Sequence, residues 1–134
     1  MTADGLITIP AGSPPKETID RLEREAKARG MTVFARIDHA AGAAQVGLPL
    51  RPTELLIFGA AKGGTPLMQS SQTAGIDLPL KALAWEDESG RTWLSCNDPR
   101  WIARRHALGP ETTAVVDALA ATLHALATKA AERT

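Results

Sequence analysis

The chain has 134 residues, 44% of them hydrophobic, and its fifteen basic and fifteen acidic side chains cancel to a formal charge of zero. That length suits one domain with one core, residues 1–134 taken together, and the hydrophobic content argues against disorder. The charge balance argues against broad electrostatic binding to nucleic acid or to an anionic membrane.

Cys96 is the single cysteine, so no internal disulfide is available and a reducing compartment is expected. The start, MTADGLITIP, lacks the basic and long apolar regions of a signal peptide. No apolar run approaches the roughly 18 residues of a membrane span, and a cytoplasmic protein is the expectation.

Residues 6–10 read as a first strand stopped by Pro10. Ser13 has the character of a helix N-cap, with Pro14 at the first helical position. Pro15, Ile19, Leu22 and Ala26 then recur at helical spacing. The polar face of that helix carries acid–base pairs four residues apart, Glu17–Arg21, Asp20–Arg24, Glu23–Lys27 and Glu25–Arg29. Each is good for about 0.2–0.5 kcal/mol. Gly30 suits the left-handed position after the helix.

Residues 31–37 alternate, with Val33, Ala35 and Ile37 on one face and Thr32, Phe34 and Arg36 on the other. His39 would join the Val33 face if the strand continued. Asp38 could instead cap a short alanine helix over 40–46, closed by Gly47.

The most apolar run, Leu55-Leu56-Ile57-Phe58, does not alternate and predicts a strand covered on both faces. Lys62-Gly63-Gly64 follows as a turn, and Thr65-Pro66 as the start of a short helix. Residues 80–85 and 92–96 form a hairpin turned by 86–90. Asp98-Pro99 repeats the cap-plus-proline signature, Gly109-Pro110 breaks that helix, and a last helix runs over 111–130. Its stripe is Val116, Leu119, Leu123 and Leu126, with Ala130 in line. This order predicts an α+β fold with a largely antiparallel sheet of about five strands.

Several blocks carry a resemblance. They are Val33 to His39, Arg51 to Gly59, Gly64 to Met68, Asp77 to Lys81, Trp85-Glu86-Asp87 and Asn97-Asp98-Pro99. Together and in this order they closely resemble the bacterial and archaeal family called domain of unknown function 302, over residues 8–108, with the 111–130 helix as an addition. The resemblance implies a curved antiparallel sheet with helices on one face, a TATA-binding-protein-like arrangement, and self-association as a homodimer. It implies no established activity. Members often carry Asn-Pro where this chain has Ala60-Ala61, and Tyr where Cys96 stands.

For chemistry, a buried strand, a glycine-rich loop and a helix start bring free amide groups to one point, an arrangement that binds anions. Lys62, Gly63, Gly64 and Thr65 form this candidate, and Lys62 and the Thr65 hydroxyl would add to it. The segment GAAKGGT is not a phosphate-binding P-loop, because Gly64 stands where the lysine belongs. The plainer alternative is a tight turn with Gly at positive φ and Thr65 as a cap. His39 could serve as acid, base or ligand, or be structural. Asp77 and Lys81, four apart, could pair with each other or supply His39 with a partner.

Arg104, Arg105 and His106 make a basic knot that the helix dipole alone rationalises. The histidines His39, His106 and His124 show no metal-ligand spacing, and neither a metal nor a cofactor is expected. Trp85, Trp93 and Trp101 suit core or dimer-interface packing. Besides a purely structural or partner-binding role, two functions follow. One is a dimeric module binding a small anionic ligand at Lys62–Thr65, with His39 and Lys81 close by. The other is an enzyme with His39 as base, Asp77 orienting it and Lys81 polarising the substrate.

Overall fold

Residues 3–133 are described by a computed structural model of the protein. Five strands form one antiparallel sheet in the order β1-β5-β4-β3-β2: β1 (Leu6–Ala11), β2 (Thr32–Asp38), β3 (Thr53–Gly59), β4 (Leu80–Glu86) and β5 (Thr92–Asn97). Helices α1 (Pro15–Ala28) and α5 (Thr113–Ala130) contribute to one core with it, while α2 (His39–Gln45), α3 (Ala61–Ser70) and α4 (Pro99–Arg105) lie in the connections. The predicted α+β class with an antiparallel sheet is the observed one.

Register explains the core. Residues directly opposite in an antiparallel pair share a face. Phe58 and Leu56 on β3 therefore stand with Leu80 and Ala82 on β4, and with Cys96 on β5. Leu56 and Phe58 are fully buried in one cluster with Ile19, Leu22, Leu123 and Leu126. Burying each such side chain contributes about 1.5–3 kcal/mol. Leu55 and Ile57 point the other way, beside Leu83 and Lys81, and are half-buried. The expectation of cover on both faces of this run is corrected, because both core helices share one side of the sheet.

The alternation read in β2 also changes in the structure. A bulge shifts the register between Val33 and Ala35, and a bulge spends one residue without advancing the pairing. Val33 stays opposite Phe58 on the helix side, whereas Ala35 and Ile37 pair with Ile57 and Leu55 on the open side. Arg36 turns to the helix side opposite Leu56, and Phe34 is left exposed.

Arg36 then joins three elements. Its guanidinium donates to Glu54 on β3 at 2.8 Å and to Asp20 and Glu23 on α1 at 2.7 and 3.3 Å. Of the predicted helix-surface pairs, Glu23–Lys27 closes at 2.8 Å, while Asp20 turns to Lys16 and Arg36 instead. Burial alone would raise the Asp20 carboxyl, but Arg36 and then Lys16 outweigh it and hold it below its ordinary 3.8. Lys27 outweighs the opposing effect of burial and, with Arg36 adding to it, holds Glu23 below 4.5.

The remaining signals hold with small shifts. Helix α1 starts one residue later than expected, after Pro14 and without a side-chain cap; the Ser13 hydroxyl accepts from Arg21 instead, at 3.1 Å. Gly30 takes φ +76° as its place after α1 requires. Asp38 caps α2 through the Ala41 amide, and Asp98 caps α4 through the Arg100 amide, both at 2.9 Å. A 3₁₀ turn, Pro110–Thr112, replaces the first residues of the predicted last helix.

Replacing Arg36 with Met should cost about 3–5 kcal/mol, because it leaves the Glu54 carboxylate buried without its cation; urea unfolding measures this. Asp20 and Glu23 have depressed folded values, so their contribution is present above pH 4.5 and is lost as pH falls through the folded values. The acid destabilisation of Arg36→Met should accordingly be shallower than that of the parent protein.

Candidate functional site

Strand β3 ends at Gly59 and α3 begins at Ala61. Lys62, Gly63 and Gly64 are thus the first turn of a helix, not a loop before one. The Ala60 carbonyl accepts the amides of Gly63 and Gly64 at 3.0 and 3.1 Å. Those two amides are spent, which corrects the expectation that they would cradle an anion. Neither glycine has positive φ, so the tight-turn alternative is corrected as well.

At Gly63 α3 passes close to α5: a Cβ there would stand 2.7 Å from Leu119 Cδ2. At Gly64 a Cβ meets nothing nearer than Leu78 Cδ1 at 3.8 Å. Beside it lies a pocket of about 260 Å³. Gly59, Ala60, Ala61, Gly64 and Thr65 form its β3–α3 side; Met68, Gly75, Leu78, Pro79 and Leu119 close it, with Phe34 at the bulge completing the lining. The walls are apolar apart from the Thr65 hydroxyl and backbone. No side chain caps α3, so the first-turn amides of Ala61 and Lys62 have no intrahelical partner.

The other expected residues lie elsewhere. Lys62 and Gly63 line a wider depression of about 590 Å³ that also holds Arg29 and the α5 residues Val115, Ala118 and Thr122. Lys81 lies on the open sheet face among Leu55, Leu83 and Trp85, with its ammonium on the Pro79 carbonyl at 3.0 Å. His39 is exposed at the start of α2. Among the described residues no hydrogen bond or ion pair joins His39, Asp77 and Lys81. Asp77 has other partners: His106 Nε2 at 2.6 Å and Arg105 at 2.9 Å. Its histidine is not His39 but one 29 residues downstream, where no local spacing could find it.

Each tryptophan N–H has an acceptor: Trp85 on Ser95 at 2.9 Å, Trp93 on Asp87 at 2.8 Å and Trp101 on Asp4 at 3.0 Å. Trp85 and Trp93 stack with centroids 6.3 Å apart. Cys96 faces the helix-side core, and burial pushes its thiol up to about 12. Among the described residues no group of three His, Cys, Asp or Glu side chains could hold a metal ion.

The family model described as domain of unknown function DUF302 matches residues 7–126. The chain belongs to the DUF302 family. The fold agrees: an uncharacterised conserved DUF302 protein from Bacillus stearothermophilus superposes with a TM-score of 0.83, covering 96% of this chain and 99% of that one at 19% identity. Proteins named fluoride-specific ion channel FluC 1, from Brucella suis and Brucella abortus, are 51% identical over 115 residues. The match covers 86% of this DUF302 chain but 45% and 43% of those relatives, so the chain spans less than half of their length.

Because its thiolate is disfavoured and shielded, Cys96 should resist alkylation by iodoacetamide in the native protein at pH 8 and react once unfolded. Mass spectrometry before and after denaturation checks this; rapid native labelling would contradict the buried placement.

Proposed function

We propose that this domain binds a small, mainly apolar molecule carrying one anionic or acceptor end, in the pocket between β3, α3 and the 3₁₀ segment Gln72–Ile76. The observation that carries the reading is the pocket itself: a hollow of about 260 Å³ at the end of β3, walled mainly by apolar side chains and glycines. A dry apolar cavity of about 150 Å³ is enough to hold benzene. The ligand's acceptor end would meet the first-turn amides of α3 and the Thr65 hydroxyl, favoured by the helix dipole. Lys62, His39 and Lys81 do not line this pocket, so the ligand's charge is secondary to its apolar body. Acid–base catalysis by His39, Asp77 and Lys81 lacks comparable support, since the three side chains are dispersed.

In the Brucella relatives the named channel activity is assigned, on this reading, to the portion outside the match. Among the described residues of this chain no helix is long and apolar enough to cross a membrane. The matched portion would serve such proteins as a ligand-responsive module. A cytoplasmic place fits the lone buried thiol.

A second reading, the homodimer, is favoured by the sheet face that the helices leave open. Leu6 and Ile37 are 48% and 39% exposed there, alongside half-buried Leu55, Leu83 and Trp85. Light scattering should give twice the 14.2 kDa chain mass, and Leu55→Lys with Leu83→Lys should return it to the monomer. A monomeric parent protein would reject this reading.

For the pocket, phenylacetate should bind with Kd of about 1 mM or below, from a ligand efficiency of roughly 0.4 kcal/mol per heavy atom. Gly64→Leu should fill the space between Leu78 and Met68 and abolish binding without loss of fold. Isothermal titration and thermal unfolding check both; binding unchanged in Gly64→Leu would place the ligand elsewhere.

A further inference from the structure

Away from the pocket, a chain of hydrogen bonds runs from a carboxylate through a histidine to two side-chain hydroxyls. Both oxygens of the Asp77 carboxylate receive Arg105, at 2.9 and 3.0 Å, and one meets His106 Nε2 at 2.6 Å. His106 Nδ1 lies 2.9 Å from Thr73 Oγ1, which lies 3.0 Å from Ser71 Oγ. An ionised carboxylate can only accept. The proton between Asp77 and His106 therefore belongs on Nε2, and Nδ1 of the neutral ring must accept. Thr73 then donates its O–H to Nδ1, and Ser71 donates to Thr73. With the ring neutral, the carboxylate sets the direction of every bond in the chain, in the hydroxyl–imidazole–carboxylate order that activates an alcohol.

Placement agrees with this order. The side chains of His106 and Asp77 are 7% and 15% exposed, whereas Thr73 is open to solvent. Thr73 and Ile76 lie three apart in the 3₁₀ segment, where such residues eclipse one another. Ile76 is 74% exposed, so a bare apolar side chain stands on the face that carries the hydroxyl.

We propose that Thr73 is an acyl-accepting nucleophile, with His106 as its general base and Asp77 as the residue that positions His106, acting on small activated esters with short apolar acyl groups. Thr73 Oγ1 forms a bond to the ester carbonyl carbon while its proton passes to His106 Nδ1. Collapse of the tetrahedral adduct breaks the bond to the leaving alcohol, which takes that proton from His106. Water, deprotonated by the same nitrogen, then cleaves the threonyl ester to the free acid and restores the hydroxyl. Arg105 shares the Asp77 carboxylate and limits how far it stabilises the imidazolium, so turnover should be slow.

The test is incubation of the full chain with p-nitrophenyl acetate, following p-nitrophenolate release and mapping acetyl groups by peptide mass spectrometry. Acetyl on Thr73 is expected, reduced at least about 100-fold in His106→Ala and absent in Thr73→Val. Thermal unfolding checks that each variant is folded. If His106→Ala does not fold, Thr73→Ser decides: it should keep acetylation at position 73, because it keeps the hydroxyl. Acetyl found on lysines alone, equal Thr73 labelling in folded His106→Ala, or an inert Thr73→Ser overturns the proposal. Neither result bears on ligand binding in the pocket, which none of Ser71, Thr73, Asp77 or His106 lines.

Discussion

Everything in this molecule is arranged around the burial of one side of β3. Leu56 and Phe58 are removed from water by helices that share a single face, and strand alternation forces Leu55 and Ile57 onto the opposite face. Because β3 is the second strand in from the β2 edge, the same constraint fixes the faces of β2 and β4 through their registers. It also sets where the chain emerges: β3 runs out at Gly59 beside Pro79, and α3 must start there, close against α5. The pocket is the space left between that helix start, Leu78 and the sheet end.

The elements were legible because their signals are local. The Asp98-Pro99 cap, Gly30 after α1 and the hairpin over 80–97 each depend on a few adjacent residues, and each appears where it was read. Two features were not local. The bulge at Phe34 leaves an alternating sequence alternating, so the pattern assigned Arg36 and Val33 to opposite sides, although both belong to the helix side. The run Leu55–Phe58 looked like a strand buried twice, because composition cannot tell cover by the chain's own helices from an apolar face left open.

Of the residues read as a candidate site, Lys62, Gly63, His39 and Lys81 lie outside the proposed pocket. Gly64 and Thr65 do line the pocket, but glycine clusters serve close packing as readily as anion binding, and Gly63 against Leu119 is the former. Without side-chain contacts, a helix that starts at Ala61 rather than Thr65 cannot be distinguished from a loop, since Ala60-Ala61 carries no capping residue. The remaining walls, Gly75, Leu78 and Pro79, lie in a stretch with no periodicity. Asp77 and His106 meet only through tertiary packing.

Ligand binding as proposed requires that the half-open apolar hollow between Gly64, Met68, Leu78 and Leu119 take a guest. Crystals of the protein pressurised with xenon test it most directly, since xenon enters apolar cavities without needing a specific contact. The account predicts a strong xenon peak at that position. A pocket without xenon, closed by Phe34 or Met68 folded into it, would contradict it.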